Sequence, residues 1–109
     1  MKEALLSKAE ETRLQRRYQR LRKQLGDLNW ISQGSVMNDR ASAWRWTRKL
    51  KAKTVTVALS PAQAALYQKA IAEHRKLEAI LREMRQISQR VLLGSAPGVR
   101  RRKRTAKTS

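Results

Sequence analysis

The stretch from Ala43 to Pro61, AWRWTRKLKAKTVTVALSP, limits what this chain can fold into more than any other. Trp44 and Trp46 alternate with Arg45 and Thr47, and TVTVAL at 54–59 is rich in β-branched residues. Alternation at period two puts like side chains on one face, and β-branched residues suit a pleated, half-buried surface. The run closes at Ser60-Pro61, a good helix N-cap followed by the residue best tolerated at the first helical position. One short segment therefore holds two strands, their turn and a helix start. The turn at Leu50-Lys51-Ala52 has no Gly or Asn. That argues against a tight two-residue type I′ hairpin and for a looser, exposed, basic loop.

On both sides the chain reads as helix. Residues 2–28 carry Leu14, Tyr18, Leu21, Leu25 and Leu28 at spacings of 4, 3, 4 and 3, a seam of coiled-coil type. Acids gather early (Glu3, Glu10, Glu11) and bases later, the order that suits a helix dipole. Gly26-Asp27 punctuates its end, Trp30-Ile31 forms a short apolar patch, and Gly34–Met37 reads as a short first strand before a turn at Asn38-Asp39. The second helix is expected from Pro61 to about Leu92. Its seam would be Leu66, Ala70, Leu77, Ile80, Met84, Ile87 and Val91, interrupted by Glu73 and flanked by Tyr67, His74 and Leu81. Phe is absent and only three Trp and two Tyr are present, so aliphatic side chains must hold the helices together.

The expected fold is mostly α with a small antiparallel β element. Two long helices form a coiled-coil-like helical hairpin around a β-hairpin or three-stranded meander. At 109 residues one domain is expected, residues 1–94, followed by a disordered basic tail over 95–109.

Charge is the strongest global feature. Lys and Arg number 26 against 8 acids, a net charge of +18. Residues 100–109 hold six of those positive charges, which leaves +12 on the rest of the chain. So basic a body calls for a polyanionic partner: DNA or RNA first, an acidic protein second, an anionic membrane surface third. The limited core also makes a homodimer an expected partner state. The candidate phosphate contacts are Arg13, Arg16, Arg17, Arg20 and Lys23 on the first helix, and Arg45, Arg48, Lys49, Lys51 and Lys53 on the hairpin. Arg100, Arg101, Arg102, Lys103 and Arg104 in the tail complete the set.

Catalytic chemistry has little to stand on. His74 is the lone histidine and there is no cysteine, so neither a transition-metal site nor a disulfide is expected. Ser35 lacks the context of an activated nucleophile, and Gly34, Gly94 and Gly98 are too isolated for a phosphate-binding loop. An enzyme is not expected, nor a cofactor. Trp44 and Trp46 share a strand face with Arg48. Two roles suit them: the missing aromatic core between sheet and helices, or a stacking platform for bases flanked by Arg45, Arg48 and Lys49. There is no apolar run of spanning length and no signal-peptide core, so a cytoplasmic protein is expected, nucleoid-associated if DNA is the partner.

GSV at 34–36, WRWTRK, KTVTVALSP and HRKLEAILREMR together resemble a family of short uncharacterised bacterial proteins, a domain of unknown function. Some of its members are encoded near transposases. The resemblance spans residues 28–94. It implies a helix, a β segment ending in a TVxLSP-like strand and a second long helix, and it brings no catalytic residue with it. The chain departs from the family at Leu50-Lys51-Ala52, where a Gly is usual. The resulting expectation is a small basic nucleic-acid-binding accessory protein of a mobile genetic element. The alternative is a coiled-coil assembly protein with an acidic protein partner.

Overall fold

A computed structural model describes residues 5–39 and 43–99. It contains two helices and a three-stranded antiparallel sheet, in the order α1 (Lys8–Gly26), β1 (Ser35–Asn38), β2 (Trp44–Leu50), β3 (Lys53–Leu59) and α2 (Pro61–Gly94). The chain divides into two compact units. One is built from the segments before Lys23 and after Leu81, and the other is Lys23–Leu81.

The helix ends follow local chemistry. Ser7 caps α1: its hydroxyl accepts the Glu10 backbone N–H at 3.1 Å, and its carbonyl accepts that of Glu11. The helix therefore starts at Lys8, later than the expected residue 2. It closes at Gly26 through tightened bonds from the Asp27 and Leu28 N–H groups to Gln24 and Leu25 carbonyls. α2 begins with a reciprocal capping box. The Gln63 N–H donates to Ser60 Oγ at 3.1 Å, the Ser60 N–H donates to Gln63 Oε1 at 2.9 Å, and Pro61 stands at the first helical position.

In the Lys23–Leu81 unit the strands form the meander β1-β2-β3. The register pairs Val36 with Trp46, and Trp46 with Val57, so Trp44, Trp46, Arg48, Val55, Val57 and Leu59 share one sheet face. That face meets α2. The Trp46 ring lies 4.4 Å from the Tyr67 ring, and Leu59, Ala64, Ile71 and Ile80 are buried. The opposite face carries Met37, Arg45, Lys49, Thr54, Thr56 and Ala58, all exposed, with a Thr47–Thr56 hydroxyl contact at 3.4 Å across the strands.

The hairpin turn differs from the sequence expectation. Leu50 pairs with Lys53, so the loop is only Lys51-Ala52, with φ of 51° and 67°. Two successive residues at positive φ give the type I′ form without Gly or Asn. Seven paired positions on each strand hold the turn in a conformation its residues disfavour.

The apolar register of α2 also differs in its first half. Leu66 is 66% exposed, and Ala70 is only half-buried. The inward line there is Ala64, Tyr67, Ile71 and His74, so the expected flank is the seam. The strands explain the shift: the large Trp46 ring claims Tyr67 and fixes which face of the helix turns inward. Further along, Ile80 and Ile87 are buried as expected, with Leu77, Met84 and Val91 half-buried.

In the other unit the segments of α1 and α2 run antiparallel. Glu10 pairs with Arg90 and Arg17 with Glu83, so seven residues forward on one segment is seven residues back on the other. The Leu6 N–H donates to the Gly94 carbonyl at 2.9 Å, continuing the same register. Leu21 and Ile87 are its buried side chains, and Leu14, Tyr18, Met84 and Val91 are half-buried.

Candidate nucleic-acid interface

The candidate cations of α1 separate by helical angle. Arg13, Arg16, Arg20 and Lys23 follow spacings of 3, 4 and 3, which puts them on one stripe. That stripe lies on the side away from the Leu14–Tyr18–Leu21 seam, and all four residues are exposed. Arg13, Arg16 and Arg20 border an open groove with Lys8, Ala9 and Thr12. None of the four takes part in an ion pair among the described residues.

Arg17 plays a different part. It sits on the flank of the seam, and its guanidinium meets Glu83 in a bidentate pair, Nη2 to Oε1 at 2.7 Å. This contact holds the Glu83 carboxyl below its ordinary range and raises the guanidinium's affinity for its proton. Arg90 forms the matching fork on Glu10, with both bonds at 2.9 Å, and lowers that carboxyl likewise. Arg17 therefore joins two helical segments rather than presenting charge to a partner. The sequence signal for this was readable: acid then base seven residues apart on α1, and again acid then base on α2, an order in which antiparallel pairing sets acid against base.

On the sheet, Arg48 is also engaged. Its guanidinium carbon lies 4.1 Å from the Trp46 ring centroid, a cation–π contact, and its Nη1 is buried without a hydrogen-bond partner among the described residues. Arg45 pairs with Asp39 at 2.7 Å but keeps about half of its side chain exposed. Lys49, Lys51 and Lys53 are exposed and clustered at the hairpin tip. Arg100, Arg101, Arg102, Lys103 and Arg104 lie outside the described residues.

Both Trp44 and Trp46 are half-buried. The Trp46 ring meets Tyr67, carries Arg48, and donates Nε1–H to the Gln33 carbonyl at 2.8 Å. A base would have to displace these contacts. The exposed indole is Trp30, at 86%. Sequence reasoning noted it only as an apolar patch, since exposure in a loop is decided by how the loop is pinned.

The acids explain why so much positive charge stays uncompensated. Of the seven described acids, Glu10, Asp39, Glu73 and Glu83 are in ion pairs within their own unit, and Glu78 lies 3.5 Å from His74. Glu11 and Asp27 remain. No helix among the described residues is long and apolar enough to cross a membrane. No protein-family model matches the chain, and no curated protein or solved structure does either.

Proposed function

We propose that this protein binds nucleic acid, mainly through phosphate contacts from the outward stripe of α1 and the lysine-rich hairpin tip. The observation that carries this reading is the sorting of charge. Arg17 is held in an internal ion pair, while Arg13, Arg16, Arg20 and Lys23 are exposed and in no ion pair among the described residues. A row of exposed cations along about 15 Å of helix suits a repeating line of phosphates. The tail arginines would add further contacts without base-reading geometry.

The likeness of residues 28–94 to a family of short bacterial proteins, some of them encoded near transposases, extends the proposal to an accessory protein of a mobile element, acting in the cytoplasm. A second reading, a helical assembly protein with an acidic partner, has one observation in its favour. An open, largely apolar groove runs between Leu14, Tyr18, Ile87, Val91 and Leu92, and Leu92 is 75% exposed.

The test is fluorescence anisotropy across a salt series, on a short duplex and a matching single strand. On duplex DNA, replacing Arg13, Arg16, Arg20 and Lys23 by Ala should flatten the slope of log K against log salt by about 3–4 units, from ~0.9 per phosphate. An unchanged slope would remove the stripe from the interface. Binding of an acidic protein with no nucleic-acid binding would favour the second reading.

A further inference from the structure

We infer that Trp30 is a stacking platform for an unpaired nucleobase, making single-stranded nucleic acid a ligand of the Lys23–Leu81 unit. The inference rests on the nucleic-acid reading above and goes beyond it by naming a site and a strand type.

An exposed tryptophan is not in itself informative. What sets Trp30 apart is the rigidity of the loop that presents it. The Asn29 N–H donates to Glu73 Oε1 at 2.9 Å, and the Trp30 N–H donates to Asn29 Oδ1 at 2.9 Å. The Ser32 N–H donates to the Ala70 carbonyl at 3.1 Å, and the Gln33 carbonyl accepts the Trp46 indole N–H. Gly34, at φ 97°, then fits against the Thr47 carbonyl and the Trp46 side chain, where a Cβ would collide. The loop is thus tied at both ends to α2 and at its exit to the sheet. Its largest side chain is nevertheless left in water.

Such an arrangement loses little entropy when a flat ring settles on the indole. The surroundings choose which flat ring. The loop that carries Trp30 is bonded to Ala70 and Glu73 of α2. Exposed Lys69 and Lys76 lie seven residues apart on that helix, bracketing those two residues. Lys76 also reaches Glu73 at 2.8 Å, and the same carboxylate holds the Asn29 N–H. An exposed aromatic side chain on a loop bonded to α2 between two exposed lysines, on a chain of net +18, suits a base attached to phosphates. In a duplex the faces of internal bases are already stacked, so the platform discriminates for single strands.

The experiment compares wild type, Trp30→Ala and Trp30→Phe against oligothymidylate and a blunt duplex, by anisotropy and by tryptophan quenching. The indole packs on nothing that fixes the loop, so both variants should keep the wild-type melting temperature. Trp30→Ala should weaken oligothymidylate binding by about 5- to 150-fold and duplex binding by less than about twofold, with Trp30→Phe retaining most of the affinity. Wild-type fluorescence should be quenched by oligothymidylate, and Trp30→Ala should lose that quenching. Should Trp30→Ala fail to fold, the wild-type quenching and the Trp30→Phe affinity still decide the matter. Unchanged single-strand affinity in the alanine variant, with the α1 stripe still required, overturns the Trp30 site and leaves the general reading standing. No binding of either probe to wild type overturns both. A dimer that Trp30→Ala converts to monomer assigns the indole to a protein interface and overturns the platform.

Discussion

Gly34 and Ala52 both occupy positive φ, and they stand on opposite sides of the rule that such positions favour glycine. Gly34 is needed twice, for its φ of 97° and for the space that Thr47 and Trp46 leave it. Gly34→Ala should lower stability by about 1–3 kcal/mol. Ala52 has the wrong side chain for its place, at φ 67° in the hairpin turn. Ala52→Gly should raise stability by up to about 1 kcal/mol, since left-handed backbone costs a non-glycine residue about 1–2 kcal/mol and added chain entropy returns part of that. Thermal melts of both variants test the pair of expectations, and opposite signs are the required outcome. The sequence reading placed Gly34 at the start of the first strand, and neither its positive φ nor the strain at Ala52 was legible there, because both arise from how the strands pair.

At the scale of the elements, burial and ion pairs divide the work. Leu21 is 1% exposed and Leu66 is 66% exposed, although both stand in seams of similar spacing. Leu21→Ala should cost about 2–5 kcal/mol and Leu66→Ala close to nothing, a contrast that chemical denaturation measures directly. The Glu10–Arg90 and Arg17–Glu83 pairs contribute less, because they are accessible to water. Their pH signature is still definite. Both carboxyls are held below their ordinary value of 4.5 by the facing arginines. Their contribution is therefore complete above that value and is lost as pH falls through the lowered one. Melting temperatures of wild type and a Glu10→Gln/Glu83→Gln variant should converge as pH drops from neutral to about 3. A gap that persists or widens in acid would show that the pairs do not set the antiparallel register.

For the whole molecule, charge is the governing quantity. Residues 100–109 supply six positive charges of the net +18, and the outward stripe and hairpin tip lie before them. A chain ending at residue 99 should keep duplex binding at low salt, with the slope of log K against log salt flattened by at most about five units. Complete loss of salt-dependent binding on truncation would place the interface in the tail, and the body would then need another partner. The same assay on full-length chain supplies the reference.

The sequence by itself determined the order of elements, the capped start of α2 at Ser60-Pro61 and the excess of positive charge. These depend on local backbone chemistry and composition, which act over a few residues at a time. Tertiary structure alone decided which arginines are available, which tryptophan is open and which face of α2 turns inward. Arg17 and Arg20 are three residues apart on one helix, and only the position of Glu83 separates an internal clamp from an exposed cation. Trp46 and Trp30 are the same residue type, and only the approach of Tyr67 to one and the pinning of the loop around the other give them different surroundings. Pairing across the chain is set by distance in space, and the spacing of residue types constrains that distance without fixing it.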